Sequence, residues 1–329
     1  MMISSRLLLS RRDWLTWGGA AFAAQSVVLR DAIAATPPLA ELRLGYQKSG
    51  ALPSVKKQGL FEKAFKPLGV EIKWFEFASG PPLLEALSAG AIVYGPTGDT
   101  PPIFAQAARA NLLYVAALQG SGENEAIIVP EASPIRTLAD LKGKRVGLTK
   151  GSASQNTIVA ALEKVGLRYA DITPVFVSQV DGAGAFQRGS LDAWIAWDPI
   201  LATVQSRSHV RVLAWSKDVH KTNAFLLGNR DFVAKYPDIV HKLNAELTAA
   251  NEWAQTHVDE VARDIVEATG ADNESILASI RRSRFQLSPL TEEIIATQQT
   301  IADRFATLGL IPAPVRIKDV VWDGALPKK

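Results

Sequence analysis

Two short segments carry the residues best suited to hold a small anion. Thr97-Gly98-Asp99-Thr100 runs into Pro101-Pro102, and Lys150-Gly151-Ser152-Ala153-Ser154 runs into Gln155-Asn156. Each reads as a loop that ends at a helix start, where the first backbone N–H groups lack partners and the helix dipole supplies partial positive charge. The hydroxyls of Thr97, Thr100, Ser152 and Ser154 would add donors, and Gly98 would let the backbone approach closely. Asp99 or Thr100 would cap the first helix, with proline near its first position. Two such ends facing across a cleft would grip one oxyanion. The same residues also serve simply as helix caps, which is the usual work of Ser, Thr and Asp at these positions. Neither loop is a nucleotide cradle: Lys150-Gly151-Ser152 reverses the Gly-Lys-Ser order of a P-loop, and Gly95 to Gly98 lacks the third glycine of a dinucleotide fingerprint. An anion held mainly by neutral dipoles suits a weakly basic group such as a sulfonate, whereas phosphate usually leaves a stronger signature of charge.

A third segment, Asp192-Ala193-Trp194-Ile195-Ala196-Trp197-Asp198-Pro199, spaces two tryptophans three residues apart. Trp194 is expected in the core and Trp197 against an organic substituent, with Asp198 a cap or a wall residue. Glu123-Asn124-Glu125 falls where the chain would cross between lobes and reads as a hinge. His209, His220, His241 and His257 are scattered without metal-ligand spacing and are expected on the surface or as satisfied structural histidines. The chain has no cysteine, which excludes thiolate metal sites, disulfides and a lipidated cysteine. No catalytic residues, metal or cofactor are expected; an enzyme on the same architecture would need a histidine or cysteine cluster in its cleft.

The elements that would position these residues alternate. Leu42 to Tyr46 is a predicted strand and Leu52 to Phe65 a helix broken at Gly59. Glu71 to Phe75, Ile92 to Tyr94 and Leu113 to Ala117 are further strands, with helices over Pro81 to Ala89 and from Pro101 to Ala110. A second set follows: strands at Ala126 to Val129, Arg145 to Leu148, Pro174 to Val177 and Ala193 to Trp197, an amphipathic helix from Gln155 to Val165, and another around Gly184 to Gly189. Ala224 to Leu227 reads as a return strand, and the tail from Asp231 is helical, expected to pack on the first lobe. This pattern predicts an α/β fold of two lobes, each a mostly parallel sheet flanked by helices. The first lobe would comprise residues 36–122 plus 224–329, and the second residues 123–223.

At 329 residues and 47% hydrophobic, the chain has enough material for two cores. Its net charge of +3 owes much to Arg6, Arg11, Arg12 and Arg30 in the first 35 residues, so no nucleic-acid partner is implied. Ser10-Arg11-Arg12-Asp13-Trp14-Leu15, a modestly apolar run to Leu29 and Ala32-Ile33-Ala34-Ala35 read as a twin-arginine export signal over residues 1–35, cleaved near Ala34 or Ala35. That run is diluted by Thr16, Gly18, Gly19, Gln25 and Ser26, which argues against a membrane anchor.

The sequence resembles the alkanesulfonate-binding subunits of ABC importers, within the wider group that binds taurine, nitrate and thiamine precursors. The resemblance runs through Leu42 to Lys48, Gly80-Pro81-Pro82-Leu83-Leu84-Glu85-Ala86-Leu87, Thr97 to Ala107, Ser133-Pro134-Ile135, Leu138 to Gly143, Lys150-Gly151-Ser152, and Asp192 to Trp194 with Trp197-Asp198-Pro199. It implies a clamshell with two crossovers, of the type II periplasmic class, that closes on a sulfonate anion and docks on a membrane permease. It further implies a periplasmic protein, expected to be a monomer. Family binding positions fall on Gln47, Ser79, Gly80, Thr97, Gly98, Asp99, Thr100, Ser152, Ala153, Ser154, Gln155, Trp197 and Asp198. Thr222-Asn223, often Thr-Gly in the family, and Ala153, commonly Ser, depart from the pattern at places that bear on the substituent. Taurine, nitrate, sulfate esters and phosphonates stay open as ligands of the same cleft, and an enzyme of the thiamine-pyrimidine synthesis type as a runner-up.

Overall fold

A computed structural model describes residues 39–284 and 286–326. The export signal expected over residues 1–35 lies outside them.

The chain opens on strand β1 (Glu41–Tyr46), helices α1 (Leu52–Lys57) and α2 (Leu60–Phe65), strand β2 (Glu71–Glu76), helix α3 (Gly80–Ser88), strand β3 (Tyr94–Gly98), helix α4 (Thr100–Ala107) and strand β4 (Leu112–Gln119). Gly59, at φ 61°, is the left-handed residue that separates α1 from α2. A second set runs β5 (Glu125–Pro130), β6 (Arg145–Leu148), α5 (Ala153–Lys164), β7 (Thr173–Phe176), α6 (Gln179–Gln187), β8 (Ala193–Trp197), α7 (Ile200–Arg207) and β9 (Val210–Trp215). Strand β10 (Asn223–Asn229) returns, followed by α8 (Arg230–Lys235), α9 (Pro237–Thr256), α10 (Val258–Thr269), α11 (Asn273–Arg282), the short strand β11 (Leu287–Ser288) and α12 (Glu292–Thr307).

Two sheets result, ordered β11-β4-β10-β3-β1-β2 and β7-β6-β8-β5-β9. Each is mixed, which corrects the expectation of mostly parallel sheets. The strands joined through helices, β2-β1-β3 and β7-β6-β8, pair in parallel. The pairings of β10 with β3 and β4, and of β5 with β8 and β9, are antiparallel. A crossover helix carries the chain back to the end from which the previous strand began, so the strands it joins run parallel, and strands that enter or leave a sheet without one have no such constraint.

Three local expectations shift. The third strand begins at Tyr94 and extends through Gly98, because β10 offers Thr97 and Gly98 antiparallel partners in Phe225 and Ala224. Helix α5 is buried from Ser154 to Leu162 on nearly every side, so its face pattern is that of a central helix rather than an amphipathic one. Helix α7 and strand β9 are additional elements: Leu201, Ala202 and Val204 of α7 are buried, and Ala214 alone of β9.

The core of the first sheet includes Leu42, Leu44, Phe61, Phe65, Tyr114 and Phe225, all essentially without exposure. In the second, one face of the sheet packs Ile127, Val146, Ile158 and Leu162, and the other packs Ile128, Phe186, Trp194 and Leu201. Each such side chain contributes roughly 1.5–3 kcal/mol through burial. The helical tail packs against both sheets' helices. Ser206 and Ser275 share a hydrogen bond of 2.8 Å between α7 and α11, and Arg304 of α12 donates to Asn156 of α5 at 2.7 Å and to Glu163 at 2.8 Å. The tail packs on the first lobe as expected, with Val240, Leu243, Ile301 and Phe305 in the first sheet's core, and polar residues on α11 and α12 also find partners on α7 and α5. Among the described residues, no helix is long and apolar enough to cross a membrane.

Candidate anion-binding cleft

Open α/β sheets gather ligands at the carboxyl ends of their parallel strands. Here a cavity of about 260 Å³ lies at those ends, walled by Gln47 after β1, Thr97 and Gly98 closing β3, Ser152 after β6, and Trp197 closing β8. The antiparallel strands bring their starts to the same place, so Glu125 of β5 and Asn223 of β10 join the wall. Residues from both sheets thus face one space.

On the side of the first sheet, Gly80 opens α3 and presses against Thr97. A Cβ at Gly80 would stand 2.0 Å from Thr97 Oγ1 and 2.6 Å from Pro101 Cγ, so only glycine fits. Thr97 is 3% exposed, and its hydroxyl has no hydrogen-bond partner among the described residues. A buried hydroxyl without a partner costs free energy that a bound acceptor would recover. Gln47 Nε2 donates to the Pro96 carbonyl at 3.1 Å and holds the end of β3 in place. Helix α4, by contrast, begins with prolines, and its N-cap Asp99 makes no side-chain cap hydrogen bond. The buried Asp99 carboxyl accepts from Thr100 Oγ1 at 2.7 Å, while Pro101 and Pro102 have no N–H to offer. On this side of the cavity the Thr97 hydroxyl is a donor left without a partner among the described residues.

On the other side, α5 begins at Ala153 with Ser152 as its N-cap in extended backbone. Ser152 Oγ donates to the Thr149 carbonyl at 2.7 Å, and the Ser154 hydroxyl accepts from the Thr149 N–H at 3.1 Å. Gly151 N–H donates to Gln155 Oε1 at 2.8 Å. These bonds fold the turn so that its serines build it while Ser152 and Ala153 meet the cavity. A Cβ at Gly98 would lie 3.1 Å from the Ala153 Cβ, so the two sheets approach to side-chain contact at this point.

Of the positions expected from the sequence, Gln47, Gly80, Thr97, Gly98, Asp99, Ser152, Ala153, Trp197 and Asp198 lie on the cavity wall. Ser79 is the N-cap of α3, Thr100 is wholly buried against Asp99, and Ser154 and Gln155 are buried in the turn behind the wall. Trp194 is completely buried against Phe186, with ring centroids 5.9 Å apart, as expected of a core residue.

Sequence reading misses a polar network in this wall, where Asp99, Glu125 and His220 all line the cavity. His220, one of four histidines without metal-ligand spacing, brings Nε2 to 2.9 Å from Thr157 Oγ1, and its Nδ1 lies 3.9 Å from Asp99 Oδ2. Thr157 in turn donates to Glu125, and Asn156 Nδ2 donates to Asp99 at 3.1 Å. Glu125, expected at a hinge, is 7% exposed and lines the cavity. Its position at the start of a strand was the available signal. Burial pushes the Glu125 carboxyl up to about 8, the Thr157 hydrogen bond opposing, and burial also raises Asp99 against the pull of His220. Arg284, on the segment after α11, supplies an exposed guanidinium to the same cavity. Among the described residues no cluster of three or more histidine, aspartate or glutamate side chains could hold a metal.

The raised Glu125 value sets a pH dependence of stability. A carboxyl titrating near 4.5 unfolded and near 8 folded favours the folded state fully below pH 4.5, and that contribution is lost as pH rises through 8. Thermal unfolding should show stability falling by about 1–3 kcal/mol between pH 6 and pH 9, since each tenfold difference in proton affinity between the two states is worth about 1.36 kcal/mol. In Glu125→Gln that slope should flatten; an unchanged slope would remove Glu125 as its cause.

A family model described as NMT1/THI5 like matches residues 56–261. The chain is 36% identical over 293 residues to an Escherichia coli (strain K12) protein named for binding aliphatic sulfonates, covering 88% of this chain and 91% of that one. A Bacillus subtilis (strain 168) protein of the same name is 31% identical over 294 residues, covering 88% of each. The structure of the alkanesulfonate-binding protein SsuA from Xanthomonas axonopodis pv. citri bound to MOPS superposes with a TM-score of 0.83 at 35% identity, covering 86% of this chain and 98% of that one. The fold is therefore that of the periplasmic binding proteins, and the chain belongs to the NMT1/THI5-like family, alongside the aliphatic-sulfonate-binding proteins of Escherichia coli and Bacillus subtilis.

Proposed function

We propose that this protein captures alkanesulfonates in the periplasm and delivers them to the permease of an ABC importer, acting as a monomer, without catalysis, in the acquisition of sulfur. The observation that carries this reading is a single cavity whose wall joins Gly80 and Thr97 of one sheet layer to Ser152 and Ala153 at the start of α5 in the other. A sulfonate there takes the Thr97 hydroxyl, the backbone donors near Gly80 and Gly98, and the first turn of α5, so one headgroup rewards the approach of both layers. Trp197 packs against the organic part. Residues 36–122 with 224–329 form one lobe and 123–223 the other. Residues 1–35 direct export by the twin-arginine route, with cleavage near Ala34 or Ala35.

Isothermal calorimetry with alkanesulfonates of increasing chain length, taurine, nitrate and sulfate tests the reading: alkanesulfonates should bind, and taurine, nitrate and sulfate should bind more weakly. Thr97→Val, which keeps the shape and removes the donor, should weaken alkanesulfonate binding by about 1–3 kcal/mol. Wild-type affinity in that variant would take Thr97 out of the site.

A further inference from the structure

Two cavity-lining residues outside the anion loops hold polar atoms that the headgroup contacts leave unused. Asn251, on α9, is 4% exposed and lines the cavity, and its Nδ2 is buried with no partner among the described residues. Asp198, following β8, is 5% exposed and lines the cavity too. Its Oδ1 accepts from Arg282 at 3.1 Å and from the Ala202 N–H at 3.1 Å, whereas Oδ2 is buried and has no partner among the described residues. Ser279 of α11, 8% exposed, lines the same cavity. One unmet donor and one unmet acceptor therefore border a cavity that Leu247 and Trp197 also line with apolar surface.

We infer that the cleft contains a distal subsite, formed by Asn251 and Asp198, that recognises a neutral hydrogen-bonding group such as a hydroxyl on the organic part of the bound sulfonate. The inference rests on the sulfonate reading above and deepens it. A hydroxyl both donates and accepts, so it answers the Asp198 oxygen and the Asn251 amide together. A plain alkyl tail would leave both buried groups unmet, the situation in which polar sites discriminate most strongly against analogues lacking the polar group. An ammonium donates only, leaving Asn251 unanswered, and it meets a carboxylate whose charge Arg282 already balances at 3.1 Å. The residues come from elements other than those that hold the headgroup, so the two ends of the ligand are read independently.

Calorimetry on the wild-type protein with hydroxypropanesulfonate, its isostere butanesulfonate, and aminopropanesulfonate provides the test. Hydroxypropanesulfonate should bind at least about tenfold tighter than butanesulfonate, with aminopropanesulfonate no tighter than butanesulfonate. Asn251→Leu should erase the preference for the hydroxyl while leaving butanesulfonate affinity within about threefold, a comparison read as a ratio within one folded variant. Equal or tighter binding of butanesulfonate by the wild type overturns the subsite, as does tighter binding of the amine than of the alcohol; both leave the sulfonate reading standing. Failure of all three sulfonates to bind contradicts that reading and the subsite with it.

Discussion

Gly98→Val is expected to abolish ligand capture while leaving the fold intact. Gly98 ends β3 on one sheet, and an added Cβ there would already lie 3.1 Å from the Ala153 Cβ at the start of α5 on the other. Valine adds two methyl groups beyond that atom, so the walls must part by about the width of a methyl group. A ligand that bridges both walls then loses the contacts of one of them, and its affinity for the approached state no longer counts. Binding should weaken by at least about a hundredfold, or roughly 2.7 kcal/mol. The melting temperature should hardly move, because a β-branched residue suits a strand better than glycine does. Gly98→Ala, which needs a shift of only a few tenths of an ångström, should show a milder loss. Full affinity in the valine variant, measured by calorimetry, would mean that the two walls do not act on one ligand.

The second large effect concerns stability. Asp198 and Arg282 join the end of β8 to α11 through a contact of 3.1 Å, with side chains 4% and 16% exposed, and the Arg282 guanidinium also sits 5.4 Å from the Trp215 ring centre and donates to Gln205 at 2.8 Å. Burial lifts the Asp198 carboxyl to about 6 even though Arg282 opposes the shift. Removing the cation alone leaves a buried carboxyl without compensation. Arg282→Met should therefore destabilise by about 3–5 kcal/mol at pH 7 in chemical denaturation. Without Arg282 to oppose burial, the Asp198 carboxyl stands above its wild-type value of about 6, so the loss should shrink as pH falls toward 6 and the variant's buried carboxyl takes up a proton. Asp198→Asn combined with Arg282→Met should recover much of the stability at pH 7, and a double variant no better than the single one would show that the pair's charge is not the source.

What could be read from the sequence followed the strength of local signals. Strands such as Leu42 to Tyr46 announce themselves because apolar residues there are bounded by turn residues, and the structure places that strand at Glu41–Tyr46. The start of α4 is legible because Pro101-Pro102 can stand only near the beginning of a helix. The Thr97 and Ser152 turns can be found for the same reason: Gly, Ser and Thr before a helix have few other uses. Long-range partners set the rest. Thr97 and Gly98 belong to a strand because β10 pairs with them from more than a hundred residues away, and no local pattern carries that information. The burial of Glu125, His220 and Asn251 at one cavity depends on three parts of the chain converging, so each looks like an ordinary charged or polar residue. That Asp99 accepts from the Thr100 hydroxyl and from Asn156 is not legible locally, since the same residue in a sequence is equally a cap or a wall group.

For the cleft to work as a capture site, one headgroup must touch both sheets. A crystal structure of the protein with butanesulfonate tests this most directly. The sulfonate oxygens should lie within hydrogen-bonding distance of Thr97 Oγ1 and of a backbone N–H in the first turn of α5 at the same time, with the alkyl chain against Trp197. A sulfonate bound to one of these walls alone, or outside the cavity between them, would contradict it.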